Sequence, residues 1–323
     1  MKAIVQERYG APRDVLGERI VDRPAIGQKE VLVRVRAAAL HAGDTFAVRG
    51  SPFMVRVATG LRRPRPGIPG LDVSGVVEAV GAAVTGFRPG DEVFGSCAGA
   101  CAEYAKAKAT DLAKKPSRLS FEQAAAIPTS ALAALHGLRA GRLRAGQKVL
   151  VIGAAGGVGT FAVQIAKAIG AVVTGVCSTR NIELVRSLGA DHVVDYTRED
   201  FSRGAARYDL IFDNVEDRRL GDVRRALTPE GTLVLNSGTG AGGMAMMVRL
   251  VWPLVVSPFV RHDLRRFLSM PNAADLAYLA ALAGEGTLRP VVERTYPLAE
   301  TPAAIAHVET RHARGKVVIA VTA

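Results

Sequence analysis

Apolar and polar positions alternate along the first part of the chain, which is the two-residue period of a strand with one buried face. The clearest run, at 31–38, separates into two sets, one apolar and one mainly charged: Val33, Val35 and Ala37, and Arg34, Arg36 and Ala38. Pro, Gly and Asp at 89–91 predict a turn before a short strand at 92–94. Residues 1–119 are therefore predicted to form a small β-rich domain.

From about residue 120 the period changes, because strand-like runs alternate with helical ones. A strand at 149–152 is followed by an apolar row at 158–169 with 3.6-residue spacing, then by Gly170 and a second strand at 172–176. This is a βαβ unit. The alternation continues through strands and helices at 182–188, 193–194, 208–212, 220–227 and 232–235. It predicts a doubly wound parallel sheet over 120–269.

The last part of the chain has no sheet of its own to complete. We predict a helix at 276–283, an extended stretch at 289–296 and a strand at 316–321. We expect residues 270–323 to return to the first domain and complete it.

Composition and charge limit the class of protein. Apolar residues make up 49% and charged residues 22% of 323, which is enough for packed cores. A formal net charge of +12 favours anionic partners such as phosphates, nucleic acid or an acidic membrane. The alternating N-terminus and the three cysteines favour the cytoplasm over secretion. The apolar run 244–260 contains Arg249 and two prolines and is shorter than the ~20 apolar residues of a spanning helix, so we expect none.

The strongest chemical motif is the glycine-rich loop in VLVIGAAGGVGTFAVQIAK, at 149–167. A predicted strand leads into the glycine turn, and a helix follows directly. Gly156 allows the backbone to approach a pyrophosphate, and Gly159 allows the helix to pack on the strand. The helix N-terminal amides then stabilise the phosphate charge. The alternative is a structural turn that binds nothing.

This loop and its surroundings resemble the medium-chain dehydrogenase/reductase superfamily, and specifically its zinc-independent quinone oxidoreductase-like branch, which includes zeta-crystallin. The signature residues are Gly146, Gln147, Leu150, Ala154, Ala155, Gly156, Gly157, Gly159, Gln164 and Lys167. Segments 69–81, 87–95 and 315–319 are similar to the GroES-like domain of that family. The resemblance implies an α/β fold, with a Rossmann-type NADP-binding domain at 120–269. It also implies a GroES-like catalytic domain at 1–119, completed by 270–323.

The end of the second Rossmann strand indicates which cofactor is bound. A free ribose 2′-hydroxyl is usually held by an acidic residue there, whereas a 2′-phosphate needs polar donors and a cation. Ser178, Thr179 and Arg180 supply such groups, and no carboxylate stands among them. NADP(H) is therefore predicted; the alternative for Arg180 is a solvated residue of the first helical turn.

The resemblance implies further cofactor contacts. They are Ala155, Gly157 and Val158 in the loop, Tyr196, Val215, Gly238 and Lys316. Glu216 replaces a glycine that usually follows Val215 in relatives. The segment 244–260 is interpreted in three ways: as the roof of an apolar substrate pocket, as a core or dimer-interface segment, or as a shallow membrane contact beside Arg261, Arg265 and Arg266.

No metal site is predicted. The zinc-dependent relatives need three catalytic ligands and a lobe of four cysteines. Here the first ligand position is His41, the second is Leu71, and the third region, 128–130, has no strong ligand. Cys97 and Cys101 lack a second pair. Without a Lewis acid, reduction of an already polarised acceptor fits better than alcohol oxidation.

The candidate catalytic residues are His41, Asp44 and Thr129. His41 can donate a proton or hydrogen bond to a developing oxyanion, or its ring can be satisfied by local backbone. The resemblance places His41 and Asp44 in a loop that commonly reads Asn-Pro-x-Asp, where this chain departs at His41 and Gly43. Asp44 is expected to orient that loop. Thr129 resembles a hydroxyl beside the nicotinamide, or it caps a helix.

These features predict an NADPH-dependent oxidoreductase that reduces small apolar quinones or α,β-unsaturated carbonyls by hydride transfer. An enoyl-thioester reductase is an alternative. A second alternative is a nucleic-acid or membrane-surface binding protein that keeps a dinucleotide-binding scaffold and uses Arg62, Arg63 and Arg65. A homodimer is expected from the resemblance.

Overall fold

The computed structural model describes residues 1–65, 67–236, 252, 255–257 and 260–321. The chain divides into two compact units. Unit 1 comprises residues 1–132 and 270–323, and unit 2 comprises residues 133–269. Residues 120–132 thus group with the β-rich unit.

Unit 1 is built on two sheets. Strands β1 (Lys2–Gln6) and β2 (Leu16–Ile20) form an antiparallel pair. The larger sheet has seven strands: β3 (Glu30–Leu40), β4 (Asp72–Val80), β5 (Glu92–Ser96), β6 (Tyr104–Lys108), β7 (Leu112–Lys114), β14 (Val292–Pro297) and β15 (Lys316–Ala320). Its order is β14-β15-β3-β4-β5-β7, with β6 also paired to β3. The C-terminal strand β15 lies antiparallel beside β3, so the last segment completes this sheet.

A register shift in β3 changes which face its side chains occupy. Val33 and Val35 are buried and Arg34 and Arg36 are exposed, as predicted. Ala38, predicted to share the arginine face, is fully buried instead. The pairing of β3 with β4 shifts between Val35 and Ala37, and one extra residue moves all later side chains to the opposite face.

Most helices of the β-rich unit were not predicted. The helices are α1 (Pro12–Val15), α2 (Ala42–Arg49), α3 (Phe53–Thr59), α4 (Phe121–Ala125) and α5 (Pro128–Ala140), with α9 (Ala273–Glu285) and α10 (Thr301–Glu309) in the C-terminal segment. A helix beginning near Thr129 was expected and corresponds to α5. No residue of α3 is buried, and its sequence FMVRVAT is apolar at nearly every position, so no alternation of apolar and polar faces marks it as a helix. The α9 region was predicted, with narrower bounds.

Unit 2 is a six-stranded sheet in which every strand pair is parallel. Its strands are β8 (Lys148–Ile152), β9 (Val172–Cys177), β10 (His192–Asp195), β11 (Tyr208–Asp213), β12 (Leu227–Leu235) and β13 (Asp263–Arg266), and its helices include α6 (Gly157–Ile169), α7 (Ile182–Ser187) and α8 (Leu220–Arg225). The order β10-β9-β8-β11-β12-β13 reverses direction beside β8. The predicted doubly wound parallel sheet is confirmed, and the reversal marks where such sheets bind ligands.

The sixth strand, β13, was missed. Its sequence is Asp-Leu-Arg-Arg, and only Leu264 is buried. An edge strand tolerates such polarity because one of its sides has no neighbouring strand. Arg265 and Arg266, interpreted from the sequence as the flank of an apolar run, form ion pairs with Asp263 and Glu216 in the structure.

Candidate active site

Two glycines of the loop between β8 and α6 are required by the protein's own packing. Gly153 has φ +75°, a conformation that favours glycine. A Cβ at Gly159 would lie 2.1 Å from the Gly153 carbonyl oxygen, so any side chain there would push α6 away from the loop. The predicted role of Gly159 in helix–strand packing therefore has a direct steric basis.

Gly156 differs, because the protein does not require it to be glycine. Its φ is −82°, and a Cβ would meet only the Gly153 oxygen, at 3.4 Å. Gly156 begins α6 without any side-chain cap, so the first-turn amides, those of Gly157, Val158 and Gly159, are available to an anion. The open space and the uncapped helix fit a dinucleotide pyrophosphate.

The carboxyl end of β9 carries the three residues predicted to bind a 2′-phosphate. The Thr179 hydroxyl donates to Asp195 Oδ2 at 2.5 Å and so has its proton engaged. Ser178 Oγ accepts from Asn181 Nδ2 at 3.2 Å and keeps its own proton to donate. Arg180 is exposed. Ser178 and Arg180 thus fit the predicted role better than Thr179 does.

A carboxylate that was not predicted from the sequence also lies at this edge. Asp195 ends β10 and pairs in register with Cys177 at the end of β9. A hydrogen bond from Thr179 lowers the pKa of Asp195, and the Thr197 amide and hydroxyl also donate to its carboxylate. Parallel strands end at a common edge of the sheet. An acidic residue at the end of β10 was therefore the sequence signal that a carboxylate lies beside the end of β9.

The remaining predicted cofactor contacts are distributed as follows. Tyr196 is exposed after β10, and its amide donates to the Cys177 carbonyl oxygen at 3.1 Å. Val215 lies against the loop, since a Cβ on Gly153 would be 2.8 Å from Val215 Cγ2. Gly238 lies outside the described residues, as does most of the segment 244–260. Lys316 belongs to unit 1 and is described below.

A buried ion pair accompanies the turn after β11. Asp213 Oδ1 accepts from the amides of Val215 and Glu216, both at 2.9 Å, while burial raises the pKa of Asp213 to about 6. Glu216 has φ +55°, which explains why glycine suits this position in relatives. Its carboxylate accepts two hydrogen bonds from Arg266, at 2.5 and 3.1 Å. A fixed turn is therefore obtained here without glycine.

In unit 1, one ring nitrogen of His41 is hydrogen-bonded, and the other, Nε2, makes no hydrogen bond among the described residues but lies 3.6 Å from Asp44 Oδ2. His41 is the N-cap of α2, and its Nδ1 accepts from the Gly43 amide at 2.9 Å. In neutral His41 the proton is therefore on Nε2. Nε2 is buried and has no hydrogen-bond partner among the described residues. It is a donor that a substrate oxygen could use.

The two departures from the Asn-Pro-x-Asp pattern depend on each other. A Cβ at position 43 would lie 2.6 Å from His41 Cε1 and 2.8 Å from Nδ1. A histidine that caps this helix thus requires glycine two residues later. Asp44 completes the capping box, because its Oδ2 accepts from the His41 amide at 2.8 Å. Burial raises the pKa of Asp44.

Lys316 and Asp72 form a buried ion pair that the sequence did not reveal. Lys316 Nζ lies 3.2 Å from Asp72 Oδ2 and 3.1 Å from Ser130 Oγ. Asp72 Oδ1 accepts from the Thr129 amide at 3.0 Å and from its hydroxyl at 2.5 Å, and so caps α5 from β4. Thr129 has its proton engaged. Asp72 begins β4 and Lys316 begins β15. A charged residue at the start of a buried strand needs a partner, so these two positions were the available signal of an ion pair.

No group of three or more His, Cys, Asp or Glu side chains suited to a metal ion occurs in the part of the chain that the structure describes. Leu71, at the second zinc-ligand position, cannot bind zinc, so the available residues do not match the three-ligand arrangement of the zinc-dependent relatives.

Comparison with known proteins identifies the family. Residues 27–117 match the family described as alcohol dehydrogenase GroES-like domain, and residues 188–319 match that described as zinc-binding dehydrogenase. A chloroplastic NADPH-dependent alkenal/one oxidoreductase of Arabidopsis thaliana is 32% identical over 99% of this chain and 79% of its own. The quinone oxidoreductase structure from Coxiella burnetii has a TM-score of 0.87 and 31% identity, covering 100% of this chain and 99% of that one. A mycobacterial protein solved with NADPH has a TM-score of 0.83 and 27% identity, covering 99% of each chain.

The chain therefore belongs to the medium-chain dehydrogenase/reductase superfamily. Within it, the chain is a member of the zinc-independent, quinone oxidoreductase-like branch. The predicted family and the predicted fold, a Rossmann-type sheet with a GroES-like domain, are confirmed.

Proposed function

We propose that this oxidoreductase uses NADPH to reduce quinones or α,β-unsaturated carbonyl compounds. The observation that carries the proposal is the loop at 153–159, where packing requires Gly153 and Gly159 but leaves space open at Gly156, in front of an uncapped helix. The relatives named as NADPH-dependent and as alkenal/one or quinone oxidoreductases support the cofactor and the substrate class.

The residues of unit 2 hold the cofactor. The first-turn amides of α6, those of Gly157 and Val158 among them, bind the pyrophosphate. Ser178 donates to the 2′-phosphate, and Arg180 neutralises it. When bound, NADPH supplies the hydride. Tyr196 and Val215 contact the adenosine and nicotinamide ends respectively, and both assignments rest on the family resemblance.

His41 is proposed to stabilise the substrate. Hydride addition to a conjugated carbonyl puts negative charge on its oxygen, which requires a hydrogen-bond donor. Neutral His41 presents Nε2–H, which makes no hydrogen bond among the described residues and lies 3.6 Å from Asp44 Oδ2, and its ring is fixed by the Gly43 amide. Asp44 holds the backbone of that loop through the His41 amide.

Thr129 is proposed to position this part of unit 1 rather than to transfer protons. Its amide and hydroxyl both donate to Asp72, which is in turn held by Lys316. Lys316 is fully buried in that pair, so we assign it to the same positioning cluster. Removing one partner of a buried ion pair costs about 3 to 5 kcal/mol.

Loss of NADPH absorbance, followed against a panel of quinones, enones, enals and enoyl thioesters, tests the proposal. We expect turnover with quinones or enones. Enoyl thioesters reduced in preference would favour the alternative acceptor, and no turnover with any class would refute the reductase assignment. Gly156→Ala should weaken NADPH binding because it fills the open space. The matched control is Gly221→Ala, where a Cβ meets nothing within 4 Å.

Two further assignments complete the proposal. A cytoplasmic location is proposed from the three cysteines, an odd number in a chain long enough to fold without disulfides. A homodimer follows from the family resemblance, and sedimentation analysis of the purified protein tests it.

A further inference from the structure

Helix α3 and the residues after it form an exposed apolar surface on unit 1. Phe53 is 64% exposed, Met54 57%, Val57 61% and Leu61 60%. Phe53 and Val57 are one helical turn apart and so share a face of the helix. Single exposed apolar side chains are ordinary, but four within the nine residues 53–61 concentrate apolar surface in one short segment, which commonly marks an interaction site.

The segment is held in this conformation by contacts to the rest of the unit. The Arg56 guanidinium lies over the Tyr9 ring, 4.7 Å from its centroid, and donates to the Gly50 carbonyl oxygen at 2.9 Å. The Tyr9 hydroxyl donates to the Gly60 carbonyl oxygen at 2.5 Å and lies 2.9 Å from Thr59 Oγ1. The fold therefore fixes the helix while leaving its apolar side chains in solvent.

Arginines follow the apolar side chains directly. Arg62, Arg63 and Arg65 are exposed, and none of the three forms an ion pair among the described residues. The sequence has no acidic residue between Asp44 and Asp72, so nothing within this stretch offsets their charge. We call the seven residues Phe53, Met54, Val57, Leu61, Arg62, Arg63 and Arg65 the α3 surface.

We propose that the α3 surface docks on an anionic lipid bilayer. Its apolar side chains match the boundary between headgroups and acyl chains, and its arginines match the lipid phosphates. The net charge of +12 adds attraction at longer range. A second copy of the chain fits poorly, because it would bring arginines against arginines. Nucleic acid also fits poorly, since Phe53 is the only aromatic residue among the seven.

Docking would bring the enzyme to the phase in which apolar quinones and enones dissolve. This consequence rests on the proposed function, whereas lipid binding itself does not. In the part of the chain that the structure describes, no helix has the length and hydropathy of a membrane span, so the attachment is peripheral.

Co-sedimentation of the full chain with vesicles tests the proposal. One set of vesicles contains phosphatidylglycerol and phosphatidylcholine, and the other contains phosphatidylcholine alone. We expect binding to the anionic vesicles only. Arg62→Gln with Arg63→Gln should lower partitioning about 10-fold to 30-fold, and Phe53→Ser with Val57→Ser should lower it at least as much.

Matched controls are Ile20→Ser, an apolar side chain of the same unit that is 76% exposed, and Arg88→Gln, an exposed arginine of that unit. Both controls should bind vesicles like the wild type. All variants change exposed side chains, and circular dichroism verifies that they are folded. Reduction of a short, water-soluble enone should be unchanged in every variant.

Several results would overturn the docking proposal. They are no binding to anionic vesicles, equal binding to neutral ones, or an equal loss of binding in the control variants. Loss of water-soluble enone turnover in the α3 variants would assign the surface to the active site. Tighter binding to random RNA, lost in the same variants, would assign it to nucleic acid. If the wild type binds vesicles but reduces no quinone, enone, enal or enoyl thioester, the proposed function fails and the docking surface stands.

Discussion

The ion pair between Glu216 and Arg266 makes the sharpest prediction about stability. The side chains are 5% and 13% exposed, and the carboxylate accepts hydrogen bonds from both terminal nitrogens of the guanidinium. Replacing Arg266 by Leu leaves a buried carboxylate without its cation, which costs about 3 to 5 kcal/mol. We expect Arg266→Leu to lower the free energy of unfolding by that amount.

Glu216→Gly should cost less than Arg266→Leu. It leaves the guanidinium without its carboxylate, but it also relieves the left-handed conformation at φ +55°, which costs a non-glycine residue about 1 to 2 kcal/mol. The expected net loss is about 1 to 4 kcal/mol. The double variant removes both charges and the strain, so it should lie within about 1 kcal/mol of the wild type.

Urea unfolding of all four proteins, followed by circular dichroism, measures this cycle. The coupling energy should be about 3 kcal/mol or more. The reasoning is refuted if the two single losses add in the double variant, or if each single loss is below about 0.5 kcal/mol. A matched control is Arg186→Leu, whose ion pair with Glu183 is exposed and should contribute little.

Four shorter predictions follow from the site. Arg180→Glu should weaken NADPH binding by about 1.5 to 3 kcal/mol, and equal wild-type affinity for NADH and NADPH in calorimetry would contradict the cofactor assignment. His41→Ala should slow turnover about 10-fold to 100-fold without abolishing NADPH binding. The control His192→Ala, which changes an exposed histidine of unit 2, should leave both turnover and NADPH binding unchanged. Elemental analysis should find far less than one zinc per chain and no effect of chelators; tightly held zinc would disprove the metal-free site. Because the folded pKa of Asp213, about 6, lies above the unfolded value, its contribution to stability is lost as pH rises from about 4 to about 6. Asp213→Asn keeps an oxygen acceptor for both amides and should remove this dependence, so an unchanged pH profile would contradict the assignment.

The sequence predicted features that depend on local pattern. The loop at 153–159, the alternation in β3 and the parallel strands of unit 2 all follow from spacing along the chain. The prediction failed where one residue shifted the register, as at Ala38, and where a strand carried charge, as in β13. Neither a bulge nor a polar edge strand leaves a period to detect.

The polar contacts of the site depend on residues far apart in sequence. Asp72 and Lys316 are 244 positions apart, and Glu216 and Arg266 are 50 apart. A single sequence shows that each charge needs a partner but not which one. His41 was an exception, because its partner Gly43 is local. A ring satisfied by local backbone was one of the two interpretations of His41, but its role as an N-cap was not predicted because histidine is not among the preferred N-cap residues.

The position of Lys316 has a consequence for how the chain is assembled. Unit 2 is one continuous stretch, whereas unit 1 is interrupted by it and resumes at residue 270. A nascent chain that has not yet reached β15 lacks both the strand beside β3 and the cation beside Asp72. Unit 2 can therefore complete its sheet during synthesis, while residues 1–132 cannot bury Asp72 beside its cation until β15 has been made. Residues 1–132 are thus synthesised before unit 2 but reach their final structure after it.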